Sequence, residues 1–251
     1  MEHSSGFLRV GTSGISLPGN RKSAPIEFQQ KSRLHFYSTL FNSIEINSSF
    51  YKIPMPATFA KWSNDVSDDF SFTLKLWKEI THVKELNFQL DNVNRFFESA
   101  NQIGNKKGCI LVQFPGKITL EYFNKIALIL ERLGESDPAN TWKKAMEFRH
   151  DSWYTGETYE LLKEHNAVVV LQDKSKSKNF DVRDNAPFYY FRFHGPTGDY
   201  RGSYNQQFLE EQSAVIRELL LKGKEVYAYF NNTAGNAFEN AGELRRILQE
   251  V

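Results

Sequence analysis

Short apolar runs alternate with helical stretches along this chain, and that alternation limits the possible folds more than any other feature. Eight runs read as strands: 7–14, 43–47, 70–77, 109–115, 145–150, 167–173, 187–195 and 225–232. Apolar residues at helical spacing predict helices over 31–41, 56–66, 92–103, 119–134, 156–166, 205–223 and 239–249. Pro56 stands at a helix start, where its missing N–H costs nothing, and Gly134 is read as the close of the 119–134 helix. Only the connection between strands six and seven lacks a clear helix. Such alternation builds parallel βαβ units. "AVVVLQD" (167–173) is almost continuously apolar, as a parallel strand covered on both faces should be.

Eight units in 251 residues match the size of a (β/α)8 barrel. The expected fold is therefore α/β: a TIM-like (β/α)8 barrel of parallel strands, with residues 1–251 forming a single domain. The rival is an open doubly wound sheet. That fold more often carries GxGxxG after its first strand, whereas the turn here reads "GTSG" (11–14). No linker, repeat or low-complexity tract divides the chain.

Strand side chains alternate between two faces. Glu45 shares a face with Asn47, and Lys75 with Thr73 and Trp77. Gln113 shares one with Leu111, and Glu147 with Arg149. Asp173 falls with Val169 and Leu171, Arg192 and His194 with Tyr190, and Asn231 with Tyr227 and Tyr229. On this reading one face is apolar early and polar late, as the lumen face of a barrel would be. Its polar end then lies at the C-terminal mouth, where active sites of this fold sit.

The candidate catalytic residues are Glu45, Lys75, Glu147, Asp173 and His194. The candidate substrate-binding residues are Asn47, Tyr51, Gln113, Arg149, Arg192, Gly195, Arg201, Tyr204, Asn231 and Asn232. Anion binding is the best-supported chemistry. "HGPTGDYRGSY" (194–204) and "NNTAGNAFENA" (231–241) follow strands seven and eight, where barrels often bind phosphate. Arginine forks onto phosphate or carboxylate oxygens.

His194 suits proton transfer near neutral pH, and the carboxylates suit base or electrostatic roles beside cations. Paired carboxylates also serve glycoside hydrolysis, where their separation decides. His82, His150 and His194 follow three strands without an HxH or HExxH cluster, so no metal ligand is assigned. Lys75 as a Schiff-base nucleophile needs freedom from carboxylate pairing, and the neighbouring acids argue against it. A layer of paired charges that merely plugs the barrel would also explain the pattern.

Nucleic-acid binding has two supports: the "DKSKSKNF" loop (173–180), and the aromatics Phe50, Tyr51, Trp77, Trp153 and Tyr204. A net charge of +1 does not favour it. Cys109 is the single cysteine, which points to a reducing compartment. "MEHSSGFLRVG" lacks the apolar core of a signal peptide, and no apolar run approaches the ~20 residues of a membrane span. A cytoplasmic protein without membrane contact is expected. The residues assign no cofactor, reaction or oligomeric state.

Several stretches resemble the YecE-like family, domain of unknown function 72. They are "VGTSG" (10–14), "FNSIEINSSFYKIP" (41–54), "FTLKLWKEITH" (72–82), "LVQFP" (111–115), "MEFRHDSW" (146–153), "FRFHG" (191–195) and "YFNNTAGNAFENA" (229–241). The resemblance spans nearly the whole chain and implies a (β/α)8 barrel, without an assigned reaction. By analogy of shape it is similar to barrels of the endonuclease IV and xylose isomerase kind. The readings that follow are an enzyme acting on a small polar or anionic ligand, a nucleic-acid-binding or phosphodiester-cleaving protein, and a non-catalytic binding barrel.

Overall fold

The computed structural model describes residues 6–19, 22 and 24–249. Of the stretch read for a leader, residues 1–5 lie outside the described residues. The described strands are β1 Phe7–Thr12, β2 Ser43–Ile46, β3 Ser71–Lys75, β4 Lys107–Gln113, β5 Lys143–Glu147, β6 Ala167–Val169, β7 Leu171–Gln172, β8 Tyr189–Phe193 and β9 Glu225–Phe230. The helices are α1 Arg33–Leu40, α2 Ser48–Tyr51, α3 Pro56–Asn64, α4 Lys78–Thr81, α5 Asp91–Ala100, α6 Phe123–Ser136, α7 Gly156–Glu164, α8 Gln206–Leu221 and α9 Ala237–Gln249.

Local chemistry sets several of these ends. Ser32 accepts the His35 N–H at 2.9 Å to start α1, and Asn205 accepts the Phe208 N–H at 2.9 Å to start α8. Pro56 opens α3 as expected. Gly134 does not close its helix: α6 runs through it to Ser136, and Asp137 stands at the C-cap. The strands are shorter than the apolar runs. Trp77, Arg149, His194 and Asn231 all lie just past the last paired residue of their strands.

All named strand pairs are parallel, in two sheets ordered β1-β9-β8-β7 and β2-β3-β4-β5-β6. At one seam Ser13 bridges Glu45, and the Gly14 N–H donates to the Glu45 carbonyl at 2.7 Å. Gly11 permits that approach, because a Cβ there would collide with the Ser43 carbonyl.

The other seam corrects the sequence reading. The run 167–173 is not one strand. Ala167–Val169 pairs with β5, and Leu171–Gln172 leaves to pair with β8. Val170 bridges the two, its N–H donating to the Met146 carbonyl at 2.9 Å.

The inner faces of the two sheets meet in a small buried cluster: Cys109, Leu111, Ala145, Val168 and Val170 from one side, Phe188, Tyr190, Tyr227 and Tyr229 from the other. Tyr229 Oη lies 2.5 Å from Ser43 Oγ and 2.8 Å from Thr73 Oγ1, joining the sheets by hydrogen bonds. Strand alternation from Asp173 puts Val169 and Leu171 on this face. They instead belong to the larger outer cluster, packed with the helices, because the strand faces inward through Val168 and Val170. Asp173 therefore meets His194 from just beyond the end of β7, not from the phase assigned to it.

Candidate functional site

Above the tyrosine layer, the inner faces turn polar. Glu45 enters from β2, Glu147 ends β5, and Arg192 lies in β8; all three are buried. Arg192 knits the two sheets together. Its Nε donates to both Glu45 oxygens at 3.2 and 3.0 Å, and its Nη2 to Oε1 at 2.8 Å. Its Nη1 donates to Glu147 Oε2 at 2.8 Å. Ser13 Oγ and Tyr190 Oη each donate to Glu45 at 2.5 Å. Arg149 forms an ion pair with Glu147 through Nη2.

These contacts fix the charges. Burial alone would push both glutamates up. For Glu45 the Arg192 guanidinium outweighs burial, and for Glu147 the Arg149 and Arg192 guanidiniums do, so both carboxyls sit below the usual range. Burial opposes the Arg192 charge, but Glu147 and Glu45 overcome it and hold it protonated.

His194 is fixed next. Its backbone N–H donates to Asp173 Oδ1 at 2.7 Å, and its Nδ1 lies 3.2 Å from the same oxygen. Its Nε2 lies 3.1 Å from Arg192 Nη1 and 3.2 Å from Arg149 Nη2. Both guanidinium nitrogens are donors, so Nε2 accepts and Nδ1 carries the hydrogen toward Asp173. Burial, despite the Asp173 hydrogen bond, holds the imidazole pKa below its ordinary value. A neutral histidine whose lone pair is engaged by two arginines orients them and is not a free base.

Over this layer opens a cleft of ≈ 210 Å³, lined by Asn47, Phe50, Tyr51, Lys75, Arg149, Arg192, Tyr200 and Asn231. Its lining contains three cations, two amides and three aromatic rings, and no carboxylate. Lys75 sits above the Phe50 ring, with Nζ 4.1 Å from its centre. Burial, then the Arg192 charge, lowers the amine to about 8. Arg149 donates through Nη1 to Tyr200 Oη at 3.3 Å, and its buried Nε has no hydrogen-bond partner. Asn47 Oδ1 is likewise buried without one.

The structure thus brings Lys75, Arg149, Arg192, Asn47, Tyr51 and Asn231 to one cleft, with Glu45, Glu147 and His194 buried beneath it. Other expected ligand-binding residues lie elsewhere. Gln113 donates to the Phe114 carbonyl at 2.9 Å. The Gly195 N–H donates to Tyr204 Oη at 2.6 Å, and Tyr204 hydrogen-bonds Asp173 in turn. Gly195 has φ 101° and serves a turn. Arg201 is exposed outside the cleft lining. Asn232 is buried, donating to the Gly202 carbonyl at 3.0 Å and to Asn240 Oδ1 at 2.9 Å.

Sequence reasoning misses Tyr200. It reaches the cleft because its loop folds back, its N–H donating to the His194 carbonyl at 2.6 Å. The glycine-rich stretch 194–204 is a signal for such a return, though not for which ring it delivers. Of the aromatics considered for base stacking, Trp153 is buried against Phe148 and Tyr204 is buried against Phe208. Lys174 of the lysine loop is held by the Gly198 carbonyl at 2.5 Å and by the Tyr200 ring. His150 hydrogen-bonds Ser152, and His82 hydrogen-bonds Thr81. Among the described residues, no group of three or more His, Cys, Asp or Glu forms a metal-binding cluster.

Residues 9–251 match the family described as protein of unknown function DUF72. The chain belongs to the DUF72 family. It is 24% identical over 267 residues to the UPF0759 protein YunF of Bacillus subtilis, covering 89% of each chain. It is 29% identical to the UPF0759 protein YecE of Escherichia coli over 82 residues, or 33% of this chain and 30% of YecE. A DUF72 crystal structure from Enterococcus faecalis superposes with TM-score 0.80 at 23% identity, covering 99% of this chain and 100% of that one. One from Thermotoga maritima gives 0.73 at 28% identity, covering 97% and 100%. A xylose isomerase-like TIM barrel fused to 4-hydroxyphenylpyruvate dioxygenase gives 0.53 at 14%, covering 96% of this chain and 42% of that one, a likeness of fold alone. Among the described residues, no helix is long and apolar enough to cross a membrane.

Proposed function

We propose that this DUF72 protein binds a small polar ligand bearing a carboxylate or phosphate in the cleft at the C-terminal strand ends. In this reading the two sheets close into one (β/α)8 barrel, the chain is one domain, and the protein works in the cytoplasm, where the buried thiol of Cys109 stays reduced. The observation that carries the proposal is the one-signed lining of the cleft. Lys75, Arg149 and Arg192 line it, while Glu45 and Glu147 are buried beneath. Cations gathered on low-dielectric walls attract an anion strongly. The cleft is smaller than the about 300–1,000 Å³ of drug-sized sites, so the ligand is compact.

The roles divide between the arginines. The contacts to Glu45, Glu147 and His194 occupy most of the Arg192 N–H groups. Arg192 is thus chiefly the bolt between the sheets. Arg149 commits Nη2 to Glu147 and His194 but spends Nη1 on Tyr200 Oη alone, at the cleft, and is the better anion donor.

Thermal melts with phosphate, sulfate and short carboxylates test the proposal. A ligand at about 100 times its Kd adds about 2.7 kcal/mol, or about 5–10 °C in Tm for a chain of this size. Wild type should show a saturable rise of that order, and Arg149→Lys should shrink it. The absence of a rise with every anion would remove the proposal.

A further inference from the structure

Lys75 ends β3 and lines the cleft, yet among the described residues its charge has no hydrogen-bonded or ion-paired partner. Its amine makes no hydrogen bond or ion pair with another described residue, and its contact is the Phe50 face. The nearby acids, whose presence in the sequence argues against a reactive lysine, are committed elsewhere. Glu45 is held by Arg192, Ser13 and Tyr190, Glu147 by Arg149 and Arg192, and Asp173 by His194 and Tyr204. An amine on an apolar ring, beside two guanidiniums and unpaired with the nearby carboxylates, meets the requirement for nucleophilic lysines. Lys75 is also the one lysine in the lining of this cleft.

We infer that Lys75 is a nucleophile that forms a Schiff base with a small aldehyde or ketone bearing an anionic group, which Arg149 holds. This rests on the anion-binding reading. The neutral amine adds to the carbonyl carbon, forming a C–N bond while the C=O π pair moves to oxygen. That oxygen leaves as water, giving a protonated imine. Counted from the ammonium, amine and carbonyl yield iminium and water, with no net proton and no oxidant. The amine is prepared for this step, since burial and Arg192 lower it to about 8. At pH 8 it is neutral about half the time, against roughly one part in 250 for an ordinary lysine near 10.4, so the reactive fraction is about a hundredfold larger.

The test is reductive trapping. The protein is incubated with sodium cyanoborohydride and either pyruvate, the carboxylate arm, or glycolaldehyde phosphate, the phosphate arm, then mapped by peptide mass. We expect one adduct per chain on Lys75, formed at least about tenfold faster than on any other lysine. Its rate should rise with a midpoint near pH 8. Excess inorganic phosphate should suppress it, and acetone should react poorly. Labelling in either arm supports the inference and names the anion class. Lys75→Arg, which keeps the charge, should lose the adduct; Lys75→Gln serves if the arginine variant does not fold. Label spread evenly over surface lysines and unchanged in the variant overturns the inference, as does no label in either arm. If wild type still melts higher with phosphate while Lys75 stays unlabelled, the lysine role alone falls. If the melting rise is absent too, the anion site falls with it.

Discussion

Arg192 is the residue on which the polar layer depends. Replacing it with Met leaves Glu45 and Glu147 buried with a lost partner, which should cost ~3–5 kcal/mol in urea unfolding. Arg149→Lys should cost far less, because Arg149 lies at the cleft with Arg192 still pairing Glu147 beneath it. Acid should act in two stages. His194 has a lowered folded pKa, so its contribution is full above about 6.5 and declines as pH falls below that. Glu45 and Glu147 are also lowered, so theirs is full above about 4.3 and is lost as pH falls toward their folded values. Urea midpoints should therefore slip below pH 6.5 and fall steeply below about 4.3; His194→Asn should shrink the upper stage, and the rest belongs to His82, which burial and then Lys75 lower to about 4. The convergence of these charges was legible from strand alternation, since each lies near a strand end. The pairing was not. Sequence alternation says which face a carboxylate takes, but not that Arg192 reaches two of them and leaves Lys75 without one.

Two elements carry tests of their own. Gly11 sits where β1 meets β2, and its substitution by Ala would press a methyl onto the Ser43 carbonyl. Gly11→Ala should lower Tm well beyond the usual effect of a strand Gly→Ala change. Gly134 gives the opposite sign. It lies inside α6, and a methyl group added there would meet open space, so Gly134→Ala should stabilise by about 0.5–1 kcal/mol, read from the same melts. A helix-closing glycine in a left-handed conformation would instead lose stability. The strand-and-helix alternation was legible because each element repeats its period over several residues. The split of 167–173 was not. Every residue from Ala167 to Leu171 is apolar, so no polar position marked the inward face or the point where pairing passes from β5 to β8.

At the scale of the molecule, two sheets meet through a tyrosine layer, then a charged layer, then an open cleft. The lower layers are largely paired: tyrosine hydroxyls with Ser43, Thr73 and Glu45, carboxylates with guanidiniums, Glu147 Oε1 meeting Arg149 as an ion pair without a hydrogen bond. Of these three layers the cleft is the one whose lining has cations without carboxylates, and anion binding depends on that difference. The most direct measurement is a crystal structure grown with tungstate, a heavy tetrahedral oxyanion whose anomalous signal locates it without ambiguity. One dominant peak is expected in the cleft, within hydrogen-bond reach of Arg149 and beside Lys75, and displaced by excess phosphate. An empty cleft with tungstate bound only at surface lysines would overturn the anion site and leave the charged layer as a structural bolt between the sheets.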